Sequence, residues 1–120
     1  MNSFDLTKLY SPAEAFQRFS MELHGKYEQE KALLWFVEEV GELIASIRKG
    51  KSKAEVFGEF SDVLVWVVCL SNILDIDLSA AFRAGALKEA KRQIAHYGRY
   101  KYASVDFTIE NLAGTPTASA

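Results

Sequence analysis

Apolar positions recur through most of this chain at the spacing of helices, and capping residues and glycines divide the pattern into four segments. Ala15, Phe16, Phe19 and Leu23 form the first stripe, which predicts a helix beginning at Ser11 and ending near Gly25. Ser11 suits the cap, Pro12 the first helical position, and Glu14 stands three residues after the cap. Leu33, Phe36, Val37, Val40, Leu43, Ile44 and Ile47 define a second helix from about Tyr27 to Lys49. Arg48 and Lys49 favour its C-terminus, and Gly50 ends it. Ser52, with Glu55 in the capping-box position, opens a third helix.

The third helix contains eight consecutive apolar residues, Val63 to Leu70. Its valines favour a strand, but the run continues from a helical start without a turn signal, and we read it as helix. A helix apolar on nearly every side needs cover on nearly every side. One partner helix cannot supply that, so the run predicts a central helix and a subunit interface. Asp77 caps a fourth helix, about Leu78 to His96, with Ala81, Phe82, Leu87 and Ile94 as core contacts and a break at Gly98. Residues 1–10 read as irregular. Residues 1–104 then form the all-α domain, and 105–120 a C-terminal extension with a flexible tail from 111.

With 120 residues, the length is that of one domain. A chain this short buries a modest share of its surface, so an extra apolar face is available for self-association. The net charge of −2 with both signs common argues against non-specific nucleic-acid binding. Cys69, the single cysteine, lies in the apolar run and reads as a buried thiol. One cysteine forms no internal disulfide and fits a reducing compartment. The N-terminus lacks the basic and apolar regions of a signal peptide, and the eight-residue apolar run is too short to span a bilayer. These features predict a cytoplasmic protein without a membrane partner.

The candidate chemistry sits in two acidic pairs, Glu39 with Glu42 and Glu59 with Asp62, separated by sixteen residues. Residues three apart share a helix face. A short connection around Gly50 favours an antiparallel hairpin of helices two and three, which directs both pairs into one volume. A solvated acidic face is the plainer reading. Against it, each pair is interleaved with apolar residues, and like charges on one face repel without a counter-charge.

A divalent cation answers that repulsion. All-oxygen donors suit Mg²⁺ or Mn²⁺. Zn²⁺ fits less well, because the two histidines, His24 and His96, belong to neither pair. Carboxylate-held Mg²⁺ commonly works on substrate phosphates. Glu38 adjoins the set and is a candidate for polarising water; Glu55 falls on the Glu59 face, although capping already explains it. Gly41, between the acids, leaves room for a close approach. Lys88, Lys91, Arg92, Arg99 and Lys101 supply positive charge for phosphates, or form a solvated basic face. Tyr97, Tyr100 and Tyr102 can stack on a base or simply pack, and Trp35 and Trp66 read as core. There is no Gly-rich phosphate loop, CxxC or HExxH.

The segments EVGE (39–42) and EFSD (59–62), followed by VLVWVVCL, resemble the MazG-like nucleotide pyrophosphohydrolases of the all-α NTP pyrophosphatase superfamily. The resemblance covers about residues 12–100 and is sharpest from 33 to 70. It implies a four-helix-bundle-like all-α fold assembled as a homodimer or homotetramer, with the pocket walled partly by a neighbouring subunit. It implies Mg²⁺-dependent cleavage of a free nucleoside triphosphate to the monophosphate and pyrophosphate. The metal ligands it implies are Glu39, Glu42, Glu59 and Asp62, with Glu38 and Glu39 as catalytic candidates. Family members often carry a Lys, an Asn and an Arg-Tyr pair after the start of the fourth helix. Lys88 and the Arg99-Tyr100 pair are approximate counterparts, and Lys91 or Arg92 stands where the Asn is missing. Phosphoribosyl-ATP pyrophosphatase, from the same superfamily, and a non-enzymatic helical adaptor dimerising through helix three are the alternatives.

Overall fold

All four expected helices are present, and each ends where local chemistry ends it. They are α1 (Ser11–His24), α2 (Gln29–Arg48), α3 (Lys53–Ile73) and α4 (Leu78–Tyr97). The computed structural model describes residues 11–104, where no strand occurs. The expectations for residues 1–10 and for the 105–120 extension lie outside the described residues.

The caps follow the sequence signals, with one addition. Ser52 Oγ accepts from the Glu55 N–H at 3.2 Å and donates to Glu55 Oε1 at 3.1 Å, so Glu55 is held at the helix start. Asp77 Oδ1 accepts from the Ala80 N–H at 3.1 Å. The addition is Glu28, whose two carboxylate oxygens accept from the N–H groups of Glu30 and Lys31 and start α2 two residues later than expected.

At the other end of α2, Lys51 N–H donates to Ser46 O at 3.0 Å and Gly50 N–H to Ile47 O at 3.1 Å. This paired closure needs a left-handed residue, and Gly50 supplies it at φ +66°. The same closure ends α3, through Ile76 to Ser71 and Asp75 to Asn72. There Asp75 holds φ +54° without being glycine, and its carboxylate pairs with Lys26 Nζ at 2.9 Å. Short polar side chains tolerate this region better than most.

The described chain divides into two compact units. The first, Phe16–Ile76, contains most of α1 with α2 and α3. Here α2 and α3 pack along their lengths as the expected hairpin. The antiparallel register follows from its partners: Trp35 meets Trp66 and Glu42 meets Glu59, each pair equidistant from the turn. Polar contacts join α1 to α3. Gln17 Nε2 donates to Ser71 Oγ at 2.9 Å and to Ile76 O at 2.7 Å, and Asn72 Nδ2 donates to Gln17 O at 3.0 Å. Ser20 Oγ lies 3.5 Å from Cys69 Sγ, and Cys69 is the buried thiol expected. The second unit contains the start of α1 and α4.

Burial departs from the expected pattern. The buried positions within Phe16–Ile76 are small: Ala32, Cys69, Ser20, Ser46 and Ser71. The α1 stripe expected to form core is exposed at Phe16, Phe19 and Leu23, and so are Ala81, Phe82 and Ile94 of α4; Leu87 is half-buried. Trp35, read as core, is 40% exposed, and Trp66 is half-buried. The physical reason is that periodicity marks the face that gains from cover without saying what covers it. The backs of α2 and α3 carry the same message: Val37, Ile44, Phe57, Phe60 and Leu64 are all exposed, Phe57 at 74%. Gly41 has open space around it, with no atom within 4 Å of where a Cβ would stand, so no described neighbour within the chain uses the approach it allows.

Taken as a whole helix rather than as its eight-residue run, α3 is long and apolar enough by length and composition to cross a membrane. Glu59 and Asp62 stand in its middle, and an acidic residue at a bilayer centre costs about 2.5–3.5 kcal/mol or more.

Candidate functional site

Four residues from the sequence patterns converge on the α2–α3 seam. Glu39 and Glu42 are one turn apart on α2, as are Glu59 and Asp62 on α3, and the antiparallel register sets the pairs level with each other. Carboxylate oxygens of Glu39, Glu42 and Glu59 all lie within 4.8 Å of one another. Glu39 and Glu59 are half-buried, and Glu42 and Asp62 are exposed. Asp62 lies outside that tight group of three, yet its charge acts on both Glu39 and Glu59.

The electrostatics are those of a cluster short of positive charge. Glu39 is pushed above the ordinary carboxylate range, first by desolvation, then by the charges of Glu42, Asp62, Glu59 and Glu38. Glu59 is raised by desolvation, by Glu42 and Asp62, and by a hydrogen bond with Glu42. Glu39 Oε2 and Glu59 Oε2 are buried without a hydrogen-bond partner. Buried acceptors of this kind are costly unless satisfied. This donor set, all oxygen and closely grouped, is capable of coordinating a divalent cation.

The remaining candidates are placed as follows. Glu38 is exposed on α2 and contributes the smallest of the charges acting on Glu39. Lys88 and Lys91 are exposed on α4, Arg99 is exposed beyond Gly98, and Tyr100 is half-buried. Gly98 ends α4 at φ +72° as expected. Arg92 is already engaged: its Nε and Nη2 donate to the two oxygens of Glu89 at 2.8 and 2.6 Å. Lys101 Nζ lies 4.7 Å from the Tyr97 ring centroid and 5.6 Å from that of Tyr102. These residues belong to the unit containing α4, and the carboxylates to the unit containing α2 and α3.

The chain matches the MazG nucleotide pyrophosphohydrolase domain over residues 27–95. It belongs to this family. The MazG match spans α2, α3 and nearly all of α4, so it covers more than half the chain and contains all four acids. The family resemblance carried by EVGE and EFSD is thereby borne out, and the matched acids are those the fold gathers. No curated protein and no solved structure matches the chain.

One feature of this MazG domain is not evident from the hydrophobic pattern. The Trp35 and Trp66 ring centroids are 5.4 Å apart, and the Tyr27 ring lies 6.1 Å from the first and 5.5 Å from the second. Both tryptophans stand four residues from an acid, Trp35 before Glu39 and Trp66 after Asp62. That spacing is the signal the sequence offers, since residues four apart share a helix face.

Proposed function

We propose that this MazG-family protein is a Mg²⁺-dependent nucleoside triphosphate pyrophosphohydrolase. It cleaves a free NTP or dNTP to the monophosphate and pyrophosphate. The observation that carries the reading is the convergence of Glu39, Glu42 and Glu59 in a cluster short of positive charge. Glu39, Glu42, Glu59 and Asp62 hold the divalent ion, and Mn²⁺ can replace Mg²⁺. When bound, such an ion neutralises phosphate charge and lowers the pKa of coordinated water.

The protein groups supply the rest. Glu39, in the cluster, and Glu38, beside it, are the candidates to accept the proton of the attacking water. The family resemblance gives Lys88, Lys91, Arg99 and Tyr100 as the candidates for phosphate contacts. Arg92 joins them only by exchanging its present partner, Glu89.

The exposed apolar faces of α1, α2 and α3 support assembly as a homodimer or homotetramer. Burying one such Val, Leu or Phe side chain is worth about 1.5–3 kcal/mol, and a dimer covers several at once. In that assembly α3 is covered by protein rather than lipid, and the protein works in the cytoplasm. Light scattering behind size exclusion should give a mass of at least two chains.

The direct test is incubation of the full chain with a panel of NTPs and dNTPs and Mg²⁺. Monophosphate and pyrophosphate should appear in equal amounts for at least one nucleotide, and EDTA should stop the reaction. A helical adaptor would leave every nucleotide intact. Release of diphosphate and inorganic phosphate would also contradict the reading.

A further inference from the structure

We infer that Trp35, backed by Trp66 and Tyr27, is the surface on which the base of the nucleotide stacks. This deepens the proposed pyrophosphohydrolase function and rests on it. Trp35 precedes Glu39 by one helical turn, and Trp66 follows Asp62 by one turn. The two rings therefore lie next to the carboxylate cluster, about 5.4 Å further along the same seam. Their centroids are 5.4 Å apart at 53°, and Tyr27 packs on Trp66 at 5.5 Å and edge-on to Trp35 at 6.1 Å.

Rings packed in this way are held in place by one another. Aromatic residues in such a seam are expected to become the interior of the hairpin, yet Trp35 remains 40% exposed and Tyr27 36%. The Tyr27 hydroxyl lies 3.1 Å from His24 Nδ1, which fixes that ring from the side of the α1–α2 connection. An open, pre-positioned aromatic surface therefore adjoins a site that attracts phosphate through a cation. A nucleotide has the same two halves, an anionic chain and a planar base. Stacking needs only the face of the base, so it accommodates purines and pyrimidines alike.

The test uses full-length protein with the best substrate of the nucleotide panel, and tripolyphosphate as a base-free competitor. Trp35→Ala should raise KM for the nucleotide by about 5- to 150-fold, the range for losing one aromatic–base stack. Inhibition by Mg²⁺-tripolyphosphate should be unchanged, and Trp35→Phe should restore most of the lost affinity. Thermal melts of both variants establish that each is folded; Trp66→Phe, which preserves packing, serves as the second variant and should raise KM less than Trp35→Ala. An unchanged KM in Trp35→Ala, or equal weakening towards nucleotide and tripolyphosphate, would overturn the stacking site while leaving the proposed function intact. Absence of turnover in the wild type would overturn the proposed function, and the stacking site with it.

Discussion

On α4, Glu89 accepts two hydrogen bonds from Arg92, at 2.8 and 2.6 Å, and a third from Gln93 at 3.3 Å. Those bonds hold its carboxyl down to about 2. On α2 and α3, Glu39 and Glu59 are pushed above the ordinary range by desolvation and by the charges of neighbouring acids. The same residue type is thus treated in opposite ways. Where a charge helps its own helix, the partner lies three or four residues away. Where four acids converge and the charges raising Glu39 and Glu59 are those of other acids, folding works against electrostatics, and a bound cation would relieve the conflict. The contrast separates an acid that serves the helix from acids that are candidates to hold a ligand.

Activity gives the largest expected difference between the two regions. Glu42→Gln and Glu59→Gln should each lower Mg²⁺-dependent turnover by at least about 100-fold, since changes merely in the surroundings of a metal ligand already cost 10–100-fold. Glu89→Gln should retain metal dependence. Pyrophosphate release at saturating Mg²⁺ measures all three. Full activity in Glu59→Gln would remove the distinction.

Stability against pH sharpens it, because the two regions have opposite signs. A carboxyl whose pKa is raised by folding binds its proton more tightly in the folded chain. Its contribution favours folding below the ordinary value, 4.5, and is lost as pH rises through the raised value. Metal-free protein should therefore lose stability from the acids of α2 and α3 as pH climbs above 4.5. Glu59→Gln should melt higher than wild type at neutral pH without metal, and Mg²⁺ should narrow or reverse the difference. Glu89 behaves conversely: its contribution is present above 4.5 and is lost as pH falls towards about 2. Melting curves across a pH series, with and without EDTA, read both slopes.

The smallest effect is that of Glu89→Gln at neutral pH. The pair is on the surface, with both side chains 54% exposed, and such pairs contribute little. The melting temperature should fall by about 2 °C or less.

Helix identity and boundaries were legible because each depends on neighbours in sequence. Ser52, Asp77, Gly50 and Gly98 act within a turn of their own positions. The acidic site was legible for a related reason: two i,i+3 pairs about a short turn have few ways to avoid meeting. Burial was less legible. Phe16, Phe19 and Phe57 show where apolar surface lies but not whether this chain or another covers it. The Lys26–Asp75 pair and the Gln17 contacts join residues about fifty positions apart, and local pattern carries no trace of them. The aromatic patch lay between these extremes, since its spacing from the acids was visible but its exposure was not.

The central claim is that the converging carboxylates of α2 and α3 are a divalent-cation site. Mn²⁺ titration followed by electron paramagnetic resonance tests it without relying on turnover. Wild type and Glu89→Gln should bind Mn²⁺ with the same affinity, and Glu59→Gln should bind at least about 10-fold more weakly. Equal binding by wild type and Glu59→Gln, or no binding by wild type, would contradict it.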